Sequence, residues 1–262
     1  MTEPAVFAPG LFSGRTALVS GGGSGIGLAI ARELGGLGAQ VVVAGRTVET
    51  LEKAVAELRR DGIDAAAHPV NIRREDEVAT LFAALGERFG GIDILVNNAG
   101  GQFAAAPLDI SANGFRAVVD LNLNGTWHMT RAFAAAAVAA GRGGKVVNIV
   151  LSLFNGLPQM VHAGAARAGV INMTKSLAVA WGRHGITVNA VAPGTIDTAA
   201  LAQYDQAALQ ADVRRLPIKR MGGAREVALA VAYLASPAAD YVTGTTLIVD
   251  GGEHLMGAVP EA

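Results

Sequence analysis

The stretch "TALVSGGGSGIGLAIARELGGLG", residues 16–38, decides the fold. Its first five residues form a short apolar run that reads as a strand, and residues 26–37 repeat apolar side chains with a helical period. Between them, glycines at 21, 25 and 27 follow a G-x-x-x-G-x-G spacing. Glycine lets a backbone approach a pyrophosphate closely, and the following helix points its free N–H groups at the anion. A turn of this composition without a ligand is the alternative; the order strand, glycine turn, helix favours a dinucleotide cradle. Gly21, Ser24, Gly25, Ile26 and Gly27 are therefore candidate cofactor contacts.

Outward from that turn, short apolar runs alternate with helical patterns along the chain. The runs span residues 16–20, 40–45, 64–70, 93–97, 145–150, 186–192 and 245–250, and helical periodicity covers segments such as 26–37, 48–60 and 75–89. The runs hardly alternate apolar with polar, as strands buried on both faces should not. They predict an α/β fold: a Rossmann-type, doubly wound, parallel seven-stranded sheet with helices on both faces. No repeat, low-complexity linker or boundary interrupts the pattern, so residues 1–262 are expected to form a single nucleotide-binding domain. One polar, poorly periodic insertion, residues 194–223, follows a strand's carboxyl end and predicts a mobile cover over the site.

Composition narrows the function classes. With 51% hydrophobic and 16% charged residues the chain can bury a sheet on both faces. A net charge of −1 without a basic cluster argues against nucleic acid and anionic membrane surfaces as partners. Zero cysteines exclude disulfides, a thiol nucleophile and a thiolate metal site. His68, His128, His184 and His254 are scattered without metal-ligand spacing, so no metal is expected. The longest apolar run, "AFAAAAVAA" at 132–140, is too short to span a bilayer. The opening "MTEPAVFAPGLFSG" has acid and proline where a signal peptide needs a basic end, and the closing "GAVPEA" carries no organelle address. A cytoplasmic enzyme is the expectation.

The second strand ends "VVVAGRT". A site built for NAD usually places a carboxylate there for the ribose 2′-hydroxyl, ~20 residues past the glycine turn. Gly45 and Arg46 stand there instead. A guanidinium attracts a 2′-phosphate through charge-assisted hydrogen bonds, so NADPH is the expected cofactor, with a solvated helix-opening arginine as the alternative.

These residues, with "NNAG" at 97–100 and "APG" at 192–194, resemble the short-chain dehydrogenase/reductase family over nearly the whole chain. The resemblance implies the strand order 3-2-1-4-5-6-7, a nicotinamide cofactor and a homotetramer. It implies that Asn98, Ala99 and Gly100 lie beside the cofactor, that Asn71 and Ile72 flank its adenine, and that Pro193, Gly194 and Ile196 border its nicotinamide. Within the family, "FAPGLFSG", "VNIRREDEV", "NNAGGQF", "LNLNGTW" and "VHAGAARAGV" are similar to trans-2-enoyl-CoA reductases of the peroxisomal type, and 2,4-dienoyl-CoA reductases share "VHAG". That implies NADPH-dependent reduction of a double bond conjugated to an acyl-CoA thioester.

Most of the family places a serine on the fifth strand and Tyr-x-x-x-Lys on the next helix, where the i,i+4 spacing lets the cation depress the phenol's pKa. Here the aligned pair is Ala163 and Arg167, and the serine position reads Val150-Leu151. Arg167 can hold a ribose but cannot shuttle protons. Enoyl reductases carry their acid four residues beyond the cation; that position is Ile171, with Lys175 one turn further. A ketone reductase must protonate an alkoxide oxygen, whereas enoyl reduction leaves an enolate that needs hydrogen-bond donors and takes its proton on carbon. The remaining donors are Asn122, which matches the family's helix asparagine, and Ser152 at the strand end, both expected to polarise the thioester carbonyl. His162 reads either as an acid or as a turn cap, and Tyr204 either as a swinging acid or as a surface residue. The pairs 214–215 ("RR") and 219–220 ("KR") are candidate partners for CoA phosphates, or plain surface charge. A ketone oxidoreductase using another acid, and an NADP-binding scaffold without chemistry, stay open beside the enoyl-reductase reading. The segment "NLNGTWHMTRAFAAAAVAAG" is apolar nearly all round, which suits burial against the core or a second subunit.

Overall fold

Thr16–Ser20 (β1) is buried at every position, as its unbroken apolar run requires. The structure is a computed structural model that describes residues 6–152 and 156–256; the extreme termini read for targeting signals lie outside the described residues. Beside β1 run Gln40–Gly45 (β2), Ala65–Pro69 (β3), Ile94–Asn97 (β4), Gly144–Ile149 (β5), Ile186–Pro193 (β6) and Thr246–Val249 (β7). All pair in parallel, in the order β3-β2-β1-β4-β5-β6-β7. The seven-stranded sheet and its order are those expected. Its order reverses between β1 and β4, which opens a crevice at the strands' carboxyl ends.

Three helices follow the periodic segments closely: Gly25–Gly36 (α1), Val48–Arg60 (α2) and Glu75–Phe89 (α3). In α1 the buried residues Gly27, Ile30, Ala31 and Leu34 form one stripe at helical spacing. That stripe packs on one face of the sheet with Leu51, Val55 and Leu58 of α2, and with Val227 and Val231 of Ala224–Ala235 (α8). Leu81 and Leu85 of α3 cover the other face. There they meet Met129 and Phe133 of Gly125–Ala139 (α5).

Ala112–Val119 (α4) runs into α5 through one wide π turn, Asp120–Asn124. Of the segment expected to be apolar all round, Met129, Phe133, Ala134 and Ala137 face the core, while Trp127 and Val138 stand exposed. Val161–Trp181 (α6) follows β5 and carries the two positions most at issue, Ala163 and Arg167. Among the described residues, no helix is long and apolar enough to cross a membrane.

The insertion after β6 has more structure than its polarity suggested. It forms a tight turn at Ala199–Gln203 and a helix at Gln206–Arg215 (α7). Asp205 starts that helix by accepting hydrogen bonds from the Ala207 and Ala208 N–H groups. Val213 is its buried residue, so little apolar periodicity marked it in the sequence. Asp205→Ala should cost this helix about 1 kcal/mol and speed amide exchange across residues 206–215. Unchanged exchange there would show that the cap does not hold the cover together.

Candidate active site

At the carboxyl ends of the strands lies a cleft of about 570 Å³. Gly21, Ser24, Gly25, Ile26, Gly27, Arg46, Asn71, Ile72, Asn98, Ala99, Gly100, Arg167, Pro193 and Gly194 all line it. Its floor is the glycine turn, where a Cβ on Gly27 would overlap the Gly21 carbonyl oxygen. Asn98 Nδ2 donates to the carbonyls of Ser20 (3.2 Å) and Gly21 (3.0 Å), and Ser20 Oγ accepts from the N–H groups of Asn98 and Ala99. The turn is thus tied to the end of β4. Ser24 caps α1 by position but makes no side-chain capping bond, so its hydroxyl is available at the helix N-terminus. Arg46 is exposed at the cleft rim beyond β2.

The inner end of the cleft is built around Arg167. The residue is only 5% exposed, and its Nη1 donates to the Ile149 carbonyl at 2.8 Å. Its Nε is buried without a partner, and a Cβ on Gly100 would overlap Nη2. Among the described residues no carboxylate offsets the charge, and burial pulls the guanidinium pKa down to about 10. Ala163, one turn before, is fully buried. Ile171 packs toward Val150, Val170, Ala190 and Ala192, and Lys175 is exposed, so neither brings a polar group to the cleft.

The candidate donors are spread differently from expectation. Asn122 is fully buried in the π turn, where Nδ2 donates to Gly101 O (2.8 Å) and Val118 O (2.9 Å) and Oδ1 accepts from Gly101 N–H (3.1 Å). Ser152 Oγ donates to Asp250 Oδ2 at 2.8 Å. Both side chains would have to exchange partners before polarising a substrate carbonyl. Tyr204 OH lies 3.8 Å from Met160 Sδ, between the cover and the start of α6. His162 is fully buried, its Nδ1 accepts from Ala163 N–H at 2.8 Å, and its Nε2 has no partner.

Asp250 gathers further bonds. The backbone N–H groups of Gly252 and His254 donate to it, and the His254 ring lies 2.9 Å from Oδ2. Burial alone would raise its pKa; the bonds from Ser152 and from the backbone and ring of the following turn outweigh this and hold it below the usual value. A depressed carboxyl contributes stability that is present above its unfolded pKa and lost as pH falls through the folded one. Ser152→Ala removes one donor and moves the folded carboxyl toward its unfolded value, so the variant should be less stable than wild type at neutral pH, and its acid loss from this group should be smaller and complete at a higher pH, read by thermal melts across an acid series. Coincident profiles would mean the serine contributes nothing to Asp250. Nearby, burial pushes the Glu253 carboxyl up, and its Oε2 accepts from Thr195 N–H at 3.0 Å, fixing the chain after Gly194.

A family model described as "Enoyl-(Acyl carrier protein) reductase" matches residues 21–254. The chain belongs to the short-chain dehydrogenase/reductase family. It is 35% identical to the "Peroxisomal 2,4-dienoyl-CoA reductase [(3E)-enoyl-CoA-producing]" of Arabidopsis thaliana, over 94% of this chain and 86% of that one. Among solved structures it is similar to a citronellol catabolism dehydrogenase of Pseudomonas aeruginosa, with a TM-score of 0.86 and 42% identity over 95% of this chain and 99% of the other. A putative 2-deoxy-D-gluconate 3-dehydrogenase of Agrobacterium tumefaciens, solved with bound NADP, superimposes with a TM-score of 0.88 at 38% identity, covering 95% of this chain and all (100%) of that one.

Against the short-chain dehydrogenase/reductase pattern, one expected contact falls elsewhere. Ile196 does not line the cleft; it is buried in the core and pairs with Gly222 in a two-residue parallel bridge. Thr198, Ala199 and Ala200 reach the cleft from that segment instead. Thr47 and Thr50 beyond Arg46, and Gly101 and Gln102 beyond Gly100, also line it and were not singled out in the sequence. Their neighbours carried the motif, and nothing in residue type alone separates them from ordinary turn residues. Asp250 was missed because its link to Ser152 spans about a hundred residues of chain (98 apart). Of the basic pairs, Arg220 is bound to both Glu226 carboxylate oxygens, each at 2.8 Å.

Proposed function

We propose that this chain is an NADPH-dependent reductase of conjugated acyl-CoA thioesters, 2-enoyl or 2,4-dienoyl. The observation that carries the reading is Ala163, buried at the phenol position, with the unpaired cation Arg167 one turn on. The residues fit a phosphorylated nicotinamide dinucleotide: the glycine floor leaves no room for a Cβ at Gly27, and a buried guanidinium Nε lacks a partner. Arg46 would hold the 2′-phosphate and Arg167 the nicotinamide ribose. When bound, NADPH supplies a hydride.

The chain's own groups must then bind the acyl chain, exclude water and steady the charge that reaches the thioester oxygen. Hydride addition at the far end of the conjugated system breaks its π bond and moves an electron pair toward that oxygen. Protonation at the α-carbon completes the reduction and needs no phenol. From a 2,4-dienoyl thioester, hydride at C5 and a proton at C2 leave a 3-enoyl product, the class printed in the Arabidopsis relative's name. A ketone reductase would need its missing acid at oxygen, whereas loss of one oxyanion donor costs about 3 kcal/mol, roughly 100-fold or more in rate. Asn122 and Ser152 act in this reading as positioning residues, one fixing Gly101 and the other Asp250. Arg214 and Lys219, exposed on the cover, would meet CoA phosphates. A homotetramer, carried over from the family, belongs to the same proposal and is read by sedimentation equilibrium.

The test is NADPH consumption with 2-enoyl-CoA, 2,4-dienoyl-CoA and simple ketones as separate acceptors. Turnover of the thioesters alone is the expected result. Faster turnover of ketones, or tight NADPH binding with no turnover of any acceptor, would overturn it.

A further inference from the structure

Besides the Arg167 Nε–H, one of the candidate carbonyl donors holds a hydrogen that the described residues leave unused. Asn122 gives both amide hydrogens to backbone carbonyls, and Ser152 gives its hydroxyl to Asp250. His162 differs. Its Nδ1 accepts from Ala163 N–H at 2.8 Å, so the ring hydrogen sits on Nε2. That nitrogen is buried without a partner, a state that costs on the order of 1–3 kcal/mol. Capping the turn explains Nδ1 and leaves Nε2 unexplained.

The surroundings of the ring point to a ligand. His162 adjoins Ala163, the small residue at the phenol position. Its other close neighbour is Phe103, whose ring meets it edge-on with centroids 4.4 Å apart and planes at 80°. Phe103 is 39% exposed and follows directly on Gly100, Gly101 and Gln102, which wall the cleft. Neither ring lines the cleft itself; a partly exposed Phe103, next in the chain to a lining residue, packs edge-on against the imidazole that carries the free donor. A neutral imidazole near a helix N-terminus can polarise a carbonyl without giving up its proton.

We propose that the Nε2–H of His162 donates the hydrogen bond to the thioester oxygen of the acyl substrate, with Phe103 yielding its place on the ring. This rests on the conjugated-thioester reading above and names the donor that reading requires.

The test uses 2,4-hexadienoyl-CoA bound to the full chain saturated with NADP⁺, where no reduction can follow. A hydrogen bond at the carbonyl draws electron density along the diene and shifts its absorption to longer wavelength. Wild type and His162→Gln, which keeps a donor near the Nε2 position, should show the shift; His162→Phe should not. With NADPH, His162→Phe should lose roughly 100-fold in kcat, with NADPH affinity unchanged and His162→Gln restoring most of the rate. Circular dichroism checks folding, and His162→Met, which removes the donor with less bulk, serves if the phenylalanine variant does not fold. No shift in saturated wild type, or wild-type shift and kcat in the donorless variants, overturns the proposal. A wild-type shift lost in those variants, together with no NADPH oxidation by wild type, would sink the reductase reading and leave the donor standing.

Discussion

Replacing Arg167 by alanine is expected to lower kcat/KM with NADPH roughly 100-fold or more while leaving the melting temperature unchanged or raised. The two halves have one cause. Among the described residues the guanidinium is buried with a single protein acceptor, Ile149 O, and no carboxylate. Its pKa, pulled by burial from the ordinary guanidinium value down to about 10, means that the folded chain holds the proton less tightly than the unfolded chain. Burying the charge therefore opposes folding by roughly 3 kcal/mol below pH 10, a cost relieved as pH rises through 10 toward the guanidinium's ordinary value. Such a group is retained for what it binds. Alanine removes the cost together with the contacts proposed above to the cofactor's ribose, each charge-assisted bond being worth about 1.5–3 kcal/mol. Steady-state kinetics beside thermal melts read both halves. A variant that melts well below wild type and keeps its affinity for NADPH would mean that Arg167 is structural.

Arg46→Asp is expected to raise KM for NADPH about 100-fold and to leave KM for NADH level or lower. Arg46 is exposed at the cleft rim, so its removal should cost little stability. The aspartate adds repulsion of a 2′-phosphate to the loss of attraction, and it offers an acceptor to a 2′-hydroxyl. Paired kinetics with the two cofactors give the ratio directly. An unchanged preference would assign the 2′ position to other residues, Thr47 and Thr50 being next to it on the cleft lining.

What the sequence revealed, it revealed through local physics. The glycine turn was legible because close backbone approach admits no other residue, and the structure gives Gly27 no space for a Cβ. The helices α1, α2 and α3 were legible because each buries a periodic stripe on the sheet. The π turn that swallows Asn122 was hidden, since its residues read as an ordinary helix start. So was α7, whose start is marked only by the Asp205 cap. His162 could be read two ways in the sequence because the choice depends on which nitrogen finds a partner, and only the folded chain decides that. That Ile196 does not line the cleft was hidden for a similar reason. Its side chain turns into the core while Thr198 faces the cleft.

The empty phenol position also explains why the donors matter more than the acid. With Ala163 and Arg167 on α6, no side chain along that helix stripe can protonate an alkoxide at the nicotinamide end. The function proposed above, which ends with a proton on carbon, suits this arrangement better than one that ends with a proton on oxygen.

The most direct measurement is the ratio of kcat/KM for 2,4-hexadienoyl-CoA to that for a 3-ketoacyl-CoA of equal chain length, both with NADPH. The thioester and CoA groups are the same in both, so the ratio isolates the atom that must be protonated. A strong preference for the conjugated dienoyl thioester is predicted; equal or greater efficiency on the 3-keto substrate would contradict the account.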